Sequence, residues 1–171
     1  MSDPAIIATP IDGALRGVYV HHGGEPPELG LLLQAFFLGF AGSNLATMTT
    51  QLIDDHPGGW SRFEWPAPSS IHGVCFCHSA ESYTPSPDQY LIFTCTCLSG
   101  GARPSDCSPE LCKWIYVLRP EGIKVLRAVP DPFTGFRKHV MLNTWMPWGC
   151  SPSVSKTVWE DGMTKAGLNL E

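Results

Sequence analysis

The sequence predicts an α+β fold in which two N-terminal helices pack on a mainly antiparallel sheet, followed by a loop-rich C-terminal part. Three observations lead there. Apolar residues Leu29, Leu32, Leu33, Phe36, Phe37 and Phe40 recur at steps of three and four, which builds one broad apolar helix face. Four later segments are short, rich in β-branched and aromatic residues, and separated by turn chemistry. Glycine and proline number 17 and 16 in 171 residues, which favours many turns over long helices. A strand, two helices and then a run of strands is the order expected when helices cover one sheet face. A chain of this length forms most simply one domain, spanning 1–171.

The elements follow in order. Residues 14–22, ALRGVYVHH, alternate around valine and tyrosine and predict a strand, which Gly23 and Gly24 end. Glu25, Pro26, Pro27 and Glu28 suit a first helical turn, because proline lacks the N–H that would be unpaired there. Ser43 or Asn44 can cap a second helix with Leu45, Met48, Leu52 and Ile53 on its buried side. That helix stops at Asp54, Asp55 and His56, since Pro57, Gly58 and Gly59 continue it only at a cost. From Trp60 a loop is expected through WSRFEWPAPSS. Strands are expected at 71–78, 90–98, 112–118 and 122–129, the last two joined as a hairpin through Pro120, Glu121 and Gly122. From about residue 131 no element is assigned. There is no internal repeat.

Charge and hydropathy narrow the function classes. A formal net charge of −5 without a Lys/Arg stripe argues against nucleic-acid binding, which needs cations to displace phosphate counterions. The N-terminus MSDPAIIATPID lacks a signal-peptide pattern. The longest apolar stretch, 29–42, is interrupted by Gln34 and falls short of the ~20 residues of a membrane span. A soluble cytoplasmic protein that engages no membrane is therefore expected, with its seven cysteines reduced.

The candidate site lies where the first strand turns into the first helix. His21, His22, Gly23 and Gly24 present imidazoles and a glycine pair, and a strand that feeds a helix through glycines can aim free N–H groups at phosphate or carboxylate. The acidic Glu25 and Glu28 at the same helix start would repel an incoming anion, and they also fit a plain structural corner. A second corner, His56, Gly58, Gly59 and Trp60, repeats the pairing of histidine with glycines. Antiparallel packing of the two helices would bring the corners together. No nucleotide loop of the G-x-G-x-x-G or Walker type is present.

Two other chemistries are weighed. Cys75 and Cys77, with Cys95 and Cys97, could surround zinc if their strands were neighbours. A C-x-C in an extended strand spreads its thiolates by about 7 Å, so buried thiols are the preferred reading and no cofactor is assigned. A Cys/His nucleophile would draw on Cys77, Cys97, Cys112 or Cys150 with His56, His72 or His139, and no spacing selects a pair. Trp60, Trp65, Trp145 and Trp148 fall in loop-like sequence, where tryptophan either anchors a protein partner or roofs the sheet.

The stretches RGVYVHHGGEP, LGLLLQAFF, LIDDHPGGWS and, more loosely, IHGVCFCHS and KWIYVLRPEGIKVLR resemble a family of small proteins of unassigned activity encoded by actinobacteria and their phages. The resemblance spans much of 14–128, with His22 and Gly23 standing where the family tends to have tryptophan and aspartate. It implies an accessory role in a phage or mobile element. The expectation from residues and resemblance together is a non-enzymatic module binding a small anionic ligand at the first strand-to-helix turn. The alternatives are an anti-defence protein that inhibits a host protein by direct contact, and a Cys/His hydrolase.

Overall fold

A computed structural model describes residues 3–64, 73–75, 91–93, 112–130 and 137–149. It shows the α+β architecture. The strands are β1 (Ala5–Ile11), β2 (Ala14–His22), β3 (Trp60–Phe63), β4 (Gly73–Cys75), β5 (Leu91–Phe93), β6 (Trp114–Arg119), β7 (Gly122–Pro130) and β8 (Arg137–Pro147). They form one sheet in the order β4-β3-β2-β1-β6-β7-β8, with β5 also paired to β2. Among these, β1–β6 and β2–β3 are parallel and the other five pairings antiparallel. The outer side of β2 is shared, since β3 meets Val20 and His22 while β5 meets Leu15 to Gly17.

The first helical layer begins as a π-helical turn, Pro26–Gly30, and continues as α1 (Leu31–Gly39). Gly42 ends it in the left-handed region at φ 58°, letting the Ser43 N–H reach back to Phe37 O at 2.8 Å. Asn44 caps α2 (Leu45–Thr49), its Oδ1 accepting from the Thr47 N–H at 3.0 Å, and a second π-helical turn, Thr50–Asp54, completes the run. Arg16 on β2 fixes that end through a 2.6 Å pair with Asp54.

These segments bury Leu29, Leu33, Phe36, Phe37, Met48, Leu52 and Ile53 against Ala5, Ile7, Val18, Val20, Tyr116 and Leu118 of the sheet. The opposite sheet face carries a second cluster, in which Ile6, Ala8, Leu15, Cys112, Ile115, Val117 and Leu126 are buried.

One expectation needs correction, and two stretches to which no element was assigned contain strands. The run AIIATPI is β1, which lies inside the sheet between β2 and β6. Residues Ala5 to Ala8 are 0 % exposed, because an interior strand is covered on both faces and so shows a continuous apolar run instead of alternation. The stretch from Trp60 is a strand, not a loop, as far as Phe63. A register shift between Trp60 and Arg62 lets both Trp60 and Phe63 join the helix-side cluster despite their odd spacing. Beyond 131, residues Arg137–Pro147 form β8, and Trp148 just past it is a core residue, its ring stacked 4.0 Å from that of Phe37 and its Nε1 donating to Arg119 O at 2.7 Å.

Candidate functional site

The two corners are joined through the pairing of β2 with β3, in which Val20 faces Trp60 and His22 faces Arg62. Gly59 sits at φ +79°, and a Cβ there would fall 2.4 Å from Tyr19 O, so the corner is pressed against the β2 backbone. The His56 carbonyl accepts the Gly59 N–H at 2.8 Å and tightens the turn. Gly58 is half-buried beside it. Trp60 is fully buried, its Nε1 donating to Leu52 O at 3.0 Å, and the His56 ring lies 4.2 Å from it. This histidine faces the helical layer.

His21 belongs to the other side. Its Nδ1 is 3.1 Å from the Tyr19 hydroxyl, and Tyr19 packs on the second cluster. His22 is exposed, with its ring 4.2 Å from that of His21 in an edge-on arrangement. The eight expected residues are thus close along the chain pairing, yet His21 lies towards the sheet face opposite His56.

The glycine pair at the bend is occupied by the chain itself. Gly23 adopts φ +69°, and a Cβ there would stand 2.7 Å from Glu28 Oε1. That carboxylate lies against Gly23, and Arg62 Nη2 neutralises it at 2.7 Å. Both members of the pair are about half exposed, so its energetic value is small and its effect is occupancy. The Gly24 N–H donates to Asp3 O at 3.0 Å, and its carbonyl accepts from the buried Tyr116 hydroxyl at 2.6 Å. With both backbone groups bonded, Gly24 has no donor left for a ligand.

Reasoning from sequence placed Glu28 at the helix start but did not reach Arg62, Asp3 or Tyr116. They lie far away along the chain and converge through the β2–β3 and β1–β6 pairings.

The cysteine readings meet the described part of the sheet at two thiols. Cys75 is buried in the helix-side cluster, and β4, which carries it, pairs with β3 while β5 pairs with β2, so these two strands are not hydrogen-bonded neighbours. Cys77, Cys95, Cys97 and Cys150 lie outside the described residues. Burial pushes the Cys112 thiol up to about 12, which keeps it protonated and poorly nucleophilic near neutral pH. Among the described residues no group of three or more His, Cys, Asp or Glu is arranged to hold a metal ion. No helix among them is long and apolar enough to cross a membrane.

A different surface stands out at the far end of α1. Leu38 and Phe40 are each 43 % exposed, while Phe40 also stacks on Phe36 at 5.0 Å. Around them Gly39, Gly42, Ser43, Asn44, Ala46 and Thr47 are exposed, and no Asp, Glu, Lys or Arg occurs anywhere in 29–53. Comparison with family models, curated proteins and solved structures finds no match.

Proposed function

We propose that this protein is a protein-binding module that docks a partner on the uncharged rim between α1 and α2, with Leu38 and Phe40 as its anchors. The observation that carries this reading is their exposure within a segment, 29–53, that carries no charged residue. Lone exposed apolar side chains are ordinary, but charge depletion around large apolar groups is what distinguishes the centre of an interface. The resemblance to phage-encoded proteins makes a host protein the partner class to test, which is the direct-contact inhibitor weighed from the sequence.

A small anionic ligand at the β2-to-helix bend has less support, since the Glu28 carboxylate lies beside Gly23 and the Gly24 N–H already donates to the Asp3 carbonyl. For the hydrolase, the protonated Cys112 thiol speaks against that residue as nucleophile.

The test is site-specific photo-crosslinking in cells. A benzophenone side chain at position 38 should give a discrete adduct with one host protein, and the same group at the exposed hairpin residue Asp12 should not. Phe40→Ser should abolish the adduct while leaving the circular dichroism spectrum unchanged. Equal labelling from both positions, or an adduct indifferent to Phe40→Ser, would overturn the reading.

A further inference from the structure

In the helix-side cluster the aromatic donors are closed onto backbone carbonyls, except at Trp114. The Trp60 indole donates to Leu52 O at 3.0 Å, the Trp148 indole to Arg119 O at 2.7 Å, and the Tyr116 hydroxyl to Gly24 O at 2.6 Å. Trp114 belongs to the same cluster and is only 3 % exposed, yet its Nε1 is buried with no hydrogen-bond partner among the described residues. A buried donor left unpaired is costly enough to be rare in a folded chain. Over this ring lies the Arg127 guanidinium, its Cζ 5.2 Å from the ring centroid. We propose that Trp114 Nε1 and Arg127 form a binding site for a small monocarboxylate, separate from the β2-to-helix bend and from the rim of Leu38 and Phe40.

Strand pairing brings the two side chains together. Trp114 opens β6 and faces Arg127 of β7 across the antiparallel register, with Ala5 of β1 and Val140 of β8 continuing the row on either side. Residues that face each other across a ladder project from the same sheet face, and alternation along β6 sends Trp114 the same way as Tyr116 and Leu118. Arg127 is half-buried and makes no ion pair among the described residues, whereas Arg16, Arg62 and Lys113 are each engaged by a carboxylate. Its contact with the ring holds a planar cation over an indole whose N–H lacks an acceptor.

Indole and guanidinium only donate, so the ligand must accept. A carboxylate presents two oxygens in one plane, which matches the guanidinium fork and leaves a lone pair for the indole N–H. Charge sets an upper limit on the ligand. Burial lowers the Arg127 pKa, and the negative charges of Asp3 and Glu25 act against that, so two carboxylates already lie in the field of this cation. A dianion such as sulfate would meet their repulsion twice over, and a single charge only once. Size is limited too, because Nε1 is closed from solvent. Only a compact headgroup reaches it, entering as the long Arg127 side chain shifts aside and returns onto the bound oxygens.

Titration of the nitrogen-labelled full chain with sodium acetate at constant ionic strength tests this. The Trp114 indole N–H resonance is the one missing from Trp114→Phe, and in the wild type it should shift saturably with acetate while the other indole resonances stay in place. Arg127→Met keeps an aliphatic stem over the ring and should weaken acetate about tenfold or more, the worth of a hydrogen bond to a charged group. Acetamide, the neutral isostere, should produce no saturable shift in the wild type. An unmoved Trp114 resonance, saturation by acetamide equal to that by acetate, or an acetate affinity indifferent to Arg127→Met in a variant whose other indole resonances are unchanged would overturn the proposal.

Discussion

Trimming Trp60 to alanine is expected to remove about 3–5 kcal/mol of stability, the range for deleting a large aromatic ring from a packed core. The ring is 0 % exposed and lies edge-on to Phe63 with centroids 5.5 Å apart. Its removal also leaves Leu52 O without the indole N–H that now donates to it at 3.0 Å. Because Trp60 ties the end of the second helical run to the β2–β3 pairing, the loss falls on the joint between layers. Urea denaturation reads it as a lower midpoint at an unchanged slope. A loss below about 1 kcal/mol would mean that the cluster around this ring is not packed as described.

Gly59→Ala is the second large effect, and it acts through the backbone. Two costs add. A left-handed conformation at φ +79° is strained for any residue with a Cβ, and that Cβ would lie 2.4 Å from Tyr19 O, a backbone atom fixed in the sheet. The expected loss exceeds about 2 kcal/mol. Gly42→Ala separates the terms, since Gly42 also has a positive φ of 58° but a Cβ there would meet nothing within 4 Å. It should lose only the conformational part, about 1 kcal/mol. Equal losses in the two variants, measured by thermal unfolding, would show that the close approach to β2 carries no energy.

Much of the fold is legible in the residues, and each failure has a physical cause. The strand from Ala14 to His22 and the hairpin through Pro120 and Glu121 are readable because local alternation and turn chemistry agree there. Asn44 acts as the cap that its side chain suits. The first strand escapes because it is covered on both faces, although Asp12 and Gly13, at φ 44° and 79°, are the left-handed pair that a two-residue hairpin needs. Reading Asp-Gly between two apolar runs would have found it. The third strand escapes because a bulge breaks its two-residue period.

The candidate site was legible only as a list of residue types. Histidines beside glycines mark both corners, but whether such a corner is open depends on what long-range pairing brings to it. Here the pairing brings Arg62 to Glu28 and Asp3 to Gly24. Those contacts turn a loop that would suit an anion into one that holds its own carboxylate. By contrast, the uncharged stretch 29–53 is plain in the sequence, and which of its side chains face outward depends on how the helical run sits on the sheet.

The most direct measurement is a sulfate titration of nitrogen-labelled protein at pH 5, following the amide resonances of Gly23 and Gly24. With Glu28 over Gly23 and Asp3 bonded to Gly24, both signals should stay in place up to millimolar sulfate, with only uniform ionic-strength drift elsewhere. A saturable shift confined to Gly23, Gly24 and their neighbouring histidines would contradict the filled bend and restore that turn as the binding site.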